Sequence, residues 1–184
     1  MGIKERIETL LRSTERAGIE DLLAWMDQNG FYDMPCSSKY HLAKAGGLAE
    51  HSLNVFNAAL SMLEAFYEKQ GEPLSYDLFN NAIICSLLHD LGKTGQFGKS
   101  NYIENNELPF PEFQTNKDLL YIPHEVRSIA IASKFIELTE EEQFAILHHN
   151  GLYSELAKSL MNNERPLQMI LHFADLWASR VIEN

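Results

Sequence analysis

The chain has 184 residues, of which 45% are hydrophobic, and a formal net charge of -11. This length fits one domain with a substantial core, and the negative charge disfavours nucleic-acid backbones and anionic lipid surfaces as partners. Any phosphorylated substrate would therefore need a local positive field from bound cations.

Helical periodicity runs through the first half of the chain, because apolar residues recur three and four positions apart. Asn29-Gly30 and Gly71, with Pro73 just beyond, are typical helix ends. The predicted helices are two within residues 1–30, a long one over 48–66 that ends by Gly71, and one over 78–87 that stops directly before His89 and Asp90.

The second half repeats this pattern. Thr139 and Glu142 form a capping box, which predicts a helix start, and Pro166 suits the first turn of the last helix. No strand pair and no internal repeat is predicted, so the expected fold class is all-α, with residues 1–184 as a single domain. The predicted helices are 125–136, 139 into the pair His148-His149 with Gly151 as the stop, a short one around 156–160, and 166–176.

Residues 92–123 lack a helical period and contain the breakers Gly95, Gly98, Pro109 and Pro111. A loop of this length inside a single domain is usually functional or disordered. Since it directly follows His89-Asp90, we expect it to act as a lid over whatever binds there. The alternative is a surface excursion without a role.

Composition also bears on location. Residues 1–12 are charged and amphipathic, which does not suit a signal peptide, and no apolar run approaches the ~20 residues of a membrane span. Cys36 and Cys85 are too few for a disulfide scaffold, and Cys85 lies in an apolar helix like a small core residue. We expect a soluble, cytoplasmic protein with reduced thiols and no membrane partner. Its oligomeric state stays open.

The pair His89-Asp90 is the most informative motif. Adjacent side chains on a helix do not share a face, but at a helix end both can turn toward one point as the backbone departs into Gly92. Imidazole and carboxylate together suit divalent Zn, Fe, Mn, Ni or Co. Further candidate ligands lie on separate predicted helices, at His51, His124, His148, His149 and Asp175.

These residues predict a site for two metal ions. Asp90 is the natural bridge, since it lies between two groups of candidate ligands. The first ion would take His51, His89 and Asp175, and the second His124 and one histidine of the pair 148–149. Asp175 stands out because its neighbours are apolar, so that its charge needs a partner.

Two other histidines carry weaker signals. His172 lies three residues before Asp175 and is interpreted as a satisfied polar residue beside the core. His41 is close enough in sequence to His51 to line the pocket, although a surface position explains it equally well.

Taken together, these motifs resemble the HD superfamily of metal-dependent phosphohydrolases, in particular the small HD-domain hydrolases of Firmicutes and their phages. The resemblance covers most of the chain from about residue 30. The matching segments are SKYH at 38–41, GGLAEHSL at 46–53, HDLGK at 89–93, HEVRS at 124–128, residues 139–151, and HFAD at 172–175.

The resemblance implies an all-helical HD fold around a central metal site, with ligand roles for His51, His89, Asp90, His124 and Asp175. For the doubled histidine it leaves an ambiguity. The small hydrolases place one histidine two residues before the glycine, which favours His149, whereas cyclic-dinucleotide phosphodiesterases of the superfamily use the first of two, which favours His148. We expect His149 as the ligand and keep His148 as the alternate.

The expected activity is hydrolysis of a small phosphate ester, perhaps a nucleotide, by metal-activated water. Asp90 would hold the ions, while Lys93, Arg127 and His41 would offset charge on the phosphate. Lys93 could instead be a solvent-exposed lysine at a helix end. Rival hypotheses are a di-iron oxygenase, for which the same ligands serve, a metal-stabilised binding module without catalysis, and an exoribonuclease, which the acidic charge disfavours.

Overall fold

The computed structural model describes residues 1–96, 98–106, 111–154 and 156–183, and it is mostly helical. This confirms the helical class, while the HD fold stays a prediction. Shorter turns extend some helices: 3₁₀ turns at Leu91–Thr94 and Gly151–Tyr153, and a π-helical turn at Ala178–Ile182. The α-helices are α1 (Ile3–Ser13), α2 (Ile19–Gln28), α3 (Gly47–Gln70), α4 (Tyr76–Leu88), α5 (His124–Ala132), α6 (Glu140–Leu147), α7 (Ala157–Leu160) and α8 (Pro166–Trp177).

The helix ends follow local chemistry. Gly71 caps α3 in the left-handed conformation, with φ of 74°, which glycine adopts at no steric cost. The predicted capping box is present at α6, where the Thr139 hydroxyl accepts the Glu142 amide and the Glu142 carboxylate accepts the Thr139 amide. Helix α5 ends at Ala132, four residues earlier than the periodicity predicted.

The prediction that the chain has no strand pairs was wrong. Strands β1 (Gly95–Gln96) and β2 (Lys99–Ser100) pair antiparallel, as do β3 (Tyr102–Glu104) and β4 (Phe113–Thr115). Strands of two or three residues are too short to show a period-two pattern, which explains the error. Both hairpins lie in the segment expected to be a loop, in which residues 97 and 107–110, including Pro109, are outside the described part of the chain.

The core lies between α3, α4 and α8, with α1 and α6 packed at its sides. Its largest fully buried side chains include Phe31 and Phe56, and Cys85 is buried in α4 as predicted. Leu88 and Leu91 are also fully buried, one on each side of the pair His89-Asp90. The motif is therefore held inside the core and not on a surface loop. In the described part of the chain, the helices are all too short or too polar to cross a membrane.

A partly buried ion pair ties the N-terminal helices to α6. Arg16 lies between α1 and α2, and its Nη2 is 2.6 Å from Oε1 of Glu142, whose side chain is fully buried. Arg16 Nη1 also donates to the carbonyl of Glu137. Glu142 thus serves the helix cap and the ion pair at once.

Replacing Glu142 with alanine should lower the free energy of unfolding by about 2–4 kcal/mol, because α6 loses its capping box and the Arg16 guanidinium loses its carboxylate partner. The matched control is Glu141→Ala, at an exposed position in the same first turn, which should change it by less than about 0.5 kcal/mol. Urea unfolding measures both. Equal effects of the two variants would contradict this role.

Candidate metal centre

The five segments that carry the predicted ligands converge on one point. Three overlapping sets of three residues each place their ligand atoms within 4.8 Å of one another: His51-His89-Asp90, His89-His149-Asp175 and Asp90-His124-His149. His51 lies in the second turn of α3, His89 and Asp90 follow α4, His124 begins α5, His149 follows α6, and Asp175 is near the end of α8.

The end of α4 explains how adjacent residues share one site. His89 still has helical backbone angles, whereas Asp90 has φ of -102° and ψ of 9°, outside the helical region. Angles near these are sparsely populated and recur at active sites. The chain then enters the 3₁₀ turn Leu91–Thr94, so both side chains face the centre, as the sequence predicted.

Asp90 lies in the middle of the cluster, and its two carboxylate oxygens face different imidazoles. Oδ2 is 3.4 Å from Nε2 of His89 and 3.5 Å from Nε2 of His51. Oδ1 is 3.2 Å from Nε2 of His124 and 3.8 Å from Nε2 of His149. The carboxylate therefore separates two groups of candidate ligands.

Backbone carbonyls fix the protonation of two rings. Nδ1 of His89 is 2.9 Å from the carbonyl oxygen of Ser86, and Nδ1 of His149 is 2.8 Å from that of Ile146. A carbonyl oxygen only accepts, so each Nδ1 carries a proton, and the neutral form of each ring presents the lone pair of Nε2 to the centre. Burial, together with His89 and His124, lowers the pKa of His149 to about 3, which keeps its ring neutral.

Glu183 orients the third ring and was missed at the sequence level. Its carboxylate lies 3.0 Å from Nδ1 of His51, accepts a hydrogen bond from Nδ2 of Asn54, and is almost fully buried. The one signal in the sequence is an acidic residue after the apolar pair Val181-Ile182. Ion-ligating histidines generally use such an acceptor on the other ring nitrogen.

The atoms that face the centre are mainly acceptors. Besides the imidazole lone pairs and Asp90, Oδ1 of Asp175 lies 3.2 Å from Nε2 of His51. Among the described residues, Nε2 of His89 and Oδ1 of Asp90 are buried without any hydrogen-bond partner. Buried acceptors without donors are costly, and a cation would satisfy all of them at once. The donor set therefore fits a divalent transition metal.

Without a cation, protonation of His51 compensates in part. Burial opposes a charge on this ring, but Cys36, Asp175 and Glu183 outweigh burial and raise the pKa of His51 well above its usual value. The same surroundings thus favour positive charge at this point, whether from a proton or a metal ion.

The structure brings His149 into the cluster and leaves His148 outside it. The His148 ring packs on Phe144, with 4.6 Å between ring centroids, and its carbonyl accepts Nε2 of Gln168. His148 belongs to none of the three-residue sets found in the described part of the chain.

Lys93 lies at the centre's edge and is paired, which excludes the alternative of a solvent-exposed lysine. Its Nζ is 2.6 Å from Oδ2 of Asp90 and 3.6 Å from Sγ of Cys36. Burial opposes its charge, yet Asp90 and Cys36 outweigh burial and raise the pKa of Lys93 well above its usual value. Lys93 therefore stays cationic beside the cluster.

His41 lies beside the cluster together with Cys36, a residue to which the sequence assigned no site role. Nε2 of His41 is 3.3 Å from Sγ of Cys36, and its ring centroid is 5.0 Å from that of His51. These three residues form a further set that could hold a metal. The pocket position of His41, one of two alternatives, is the one observed.

Arg127 is largely occupied by structural contacts. Its guanidinium donates to the carbonyl oxygens of Leu120 and Gly92 and to Oδ1 of Asn101, at 3.1–3.4 Å, and the residue is buried. It therefore ties α5 to the segment of the hairpins. It also lines a cavity of about 290 Å³ that Lys93 shares.

Four of the predicted ligands, Asp90, His124, His149 and Asp175, line a polar cavity of about 200 Å³, called here the metal pocket. His172 lies in its wall with Nδ1 bonded to the carbonyl of His149 at 2.8 Å, in agreement with its interpretation as a satisfied polar residue. The lining residues are His41, Asp90, Lys93, His124, His149, Asn150, Tyr153, His172, Asp175, Leu176, Ser179 and Arg180.

No family model, curated protein or solved structure matches this chain. The likeness to HD hydrolases therefore rests on the motifs. The structure adds a helical chain with a buried histidine and aspartate cluster that could hold a metal ion.

Close backbone packing fixes α5 against residues 89–94, called here the HD turn. The Gly92 amide donates to Oγ of Ser128 at 2.7 Å, and that hydroxyl lies 2.7 Å from the carbonyl of His89 and 2.8 Å from that of His124. A Cβ atom on Gly92 would lie 2.2 Å from the carbonyl oxygen of His124. Only glycine permits this approach.

Gly92→Ala should therefore displace His124 from Asp90 and lower the affinity for Zn²⁺ or Mn²⁺ at least about tenfold, the scale found for residues that orient metal ligands. Calorimetric titration of the metal-free protein measures this. Gly2→Ala is the control, since a Cβ there meets nothing within 4 Å. Unchanged affinity in Gly92→Ala would show that the contact does not position the ligands.

Proposed function

We propose that this chain is a metal-dependent phosphohydrolase that binds two divalent transition-metal ions. The observation that carries the proposal is the position of Asp90, whose two oxygens face two different groups of imidazoles. A carboxylate in this position suits a bridge between two ions, and two-ion sites commonly serve phosphate esters.

The geometry suggests how the ligands divide. His51 and His89 lie on the Oδ2 side of Asp90, and Oδ1 of Asp175 lies 3.2 Å from Nε2 of His51. These three residues would hold the first ion. His124 and His149 lie on the Oδ1 side, with their Nε2 atoms 3.2 Å apart, and would hold the second. The identity of the metals is open among Fe, Mn, Ni, Zn and Co.

Bound ions would supply a Lewis acid for the phosphoryl oxygens and lower the pKa of a water from 15.7 to about 7. The chain itself supplies positioning and charge. Lys93 lies at the wall of the metal pocket, where its ammonium group would offset charge on a phosphoryl oxygen. His41 lines the same pocket and would donate a hydrogen bond to the phosphate.

Arg127 has a different proposed role. Because its guanidinium already holds Gly92, Asn101 and Leu120, it would act by orienting the segment 92–123. This segment would act as a lid over a bound substrate. The acidic chain would thus bind a phosphate through a local cationic region formed by the metals and Lys93.

The decisive experiment is a screen of phosphate monoesters, diesters and nucleotides against protein reconstituted with each candidate metal. We expect oxygen-independent phosphate release with at least one metal. Asp90→Ala should remove metal binding and activity while the chain stays folded, because the ions lose their common ligand. Asp21→Ala, an exposed aspartate on α2, is the control.

Full phosphate release by Asp90→Ala would refute the proposal. Iron in anaerobically purified protein, together with oxygen consumption and no phosphate release, would favour the di-iron oxygenase. Stoichiometric metal binding without turnover of any substrate would favour the binding module.

The doubled histidine offers a second, internally matched test. His149→Ala should lose at least about tenfold in metal affinity, because even residues that only orient ligands contribute about 10–100-fold. His148→Ala should retain its metal, since that ring packs against Phe144 outside the cluster. Elemental analysis of both variants decides the assignment, and loss of metal in His148→Ala alone would reverse it.

A further inference from the structure

An apolar groove of about 730 Å³ lies beside the metal pocket. Its walls come from α3, through Met62 and Phe66, and from α8 with the π-helical turn that follows. Six of its nine lining residues have side chains of carbon and sulfur without nitrogen or oxygen. The volume lies within the roughly 300–1,000 Å³ typical of small-molecule sites.

The groove depends on an unusual second apolar face of α8. The inner face, which includes Leu171 and Ala174, is buried in the core. On the outer face, Phe173, Trp177 and Val181 recur every four residues and are 48%, 52% and 54% exposed. A surface helix normally carries polar residues on its outer face. An apolar outer face that borders a cavity indicates a binding surface.

The groove and the metal pocket adjoin each other. Tyr153, Leu176 and Arg180 line both cavities. A long molecule with a phosphate at the metal pocket that extended past these residues would reach the groove. Because the metal pocket has a volume of only about 200 Å³, most of a long molecule would lie outside this pocket.

We propose that the groove binds the hydrocarbon chain of a long-chain alkyl phosphate monoester, whose phosphate lies in the metal pocket. This inference rests on the proposed function and specifies its substrate class. A hydrocarbon chain needs no hydrogen-bond partners, and the groove walls supply few. A nucleobase buried there would lose hydrogen bonds to water that these walls do not replace.

The test uses the emission of Trp177, which lines the groove. The chain has two tryptophans, so Trp25→Phe leaves Trp177 as the sole emitter. Zinc-reconstituted protein is titrated with n-decyl phosphate below its micelle-forming concentration. We expect a saturable blue shift of the Trp177 emission as the decyl group covers the indole. The affinity should fall about two- to fourfold for each methylene removed from the ester. The n-propyl ester should give no shift.

Two variants test whether the hydrocarbon chain of the ester binds in the groove. Val181→Asp places a charge in the groove and should weaken n-decyl phosphate binding at least tenfold. Val126→Asp is the matched control, a 40% exposed valine on α5 outside the groove, and should leave binding unchanged. Affinity for n-decanol equal to that for n-decyl phosphate would overturn the proposed link to the metal pocket.

The outcomes separate this inference from the proposed function. Hydrolysis of short esters without any dependence on chain length, and without a shift of Trp177, would overturn the groove proposal and leave phosphohydrolase activity standing. Binding of n-decyl phosphate without hydrolysis of any ester would overturn the proposed phosphohydrolase activity and leave the groove proposal standing. A dimer that Val181→Asp converts to monomer in sedimentation would show that a second copy covers the groove, and would also overturn the proposal.

Discussion

The buried carboxylate of Asp90 is the constraint on which the rest of the site depends. A charge inside a protein costs several kcal/mol unless other groups compensate it. Here the compensation comes from Lys93 at 2.6 Å and from imidazoles on both sides. Because those imidazoles turn lone pairs inward, they complete the compensation only when protonated or when a cation lies between them and the carboxylate. The cluster around Asp90 therefore requires a positive charge at its centre.

The ligand rings are held by groups with little freedom to move. The backbone carbonyls of Ser86 and Ile146 accept from two rings, and the buried Glu183 accepts from a third. Such partners determine which ring nitrogen faces inward and raise its basicity. Ser128 adds a direct link between the HD turn and α5. The geometry of the centre is thus a property of the packed helices more than of individual side chains.

The surroundings of the metal pocket differ on its two sides. One side adjoins the apolar groove between α3 and α8, and the other lies near a cavity beside the hairpin of β3 and β4, where Arg127 and Lys93 are found. A phosphate at the ions would therefore have a hydrocarbon-lined neighbour on one side and a cationic one on the other. Under the proposed function, this asymmetry would provide a physical basis for substrate selection, because hydrocarbon and charged groups partition oppositely between such surfaces.

By itself, the sequence determined the helical class, the capping box at α6, the placement of His89-Asp90 at a helix end and the list of candidate ligands. These follow from local periodicity and cap chemistry, which act within a few residues. The tertiary structure decided the rest. Glu183 meets His51 across 132 positions of the chain, and the His149 ring lies beside the rings of His89 and His124, which come from other helices. The short hairpins also escaped detection, since strands of two or three residues show no period-two pattern. Local sequence patterns do not reveal contacts between distant residues, such as that of Glu183 with His51, because these contacts form only when the helices pack.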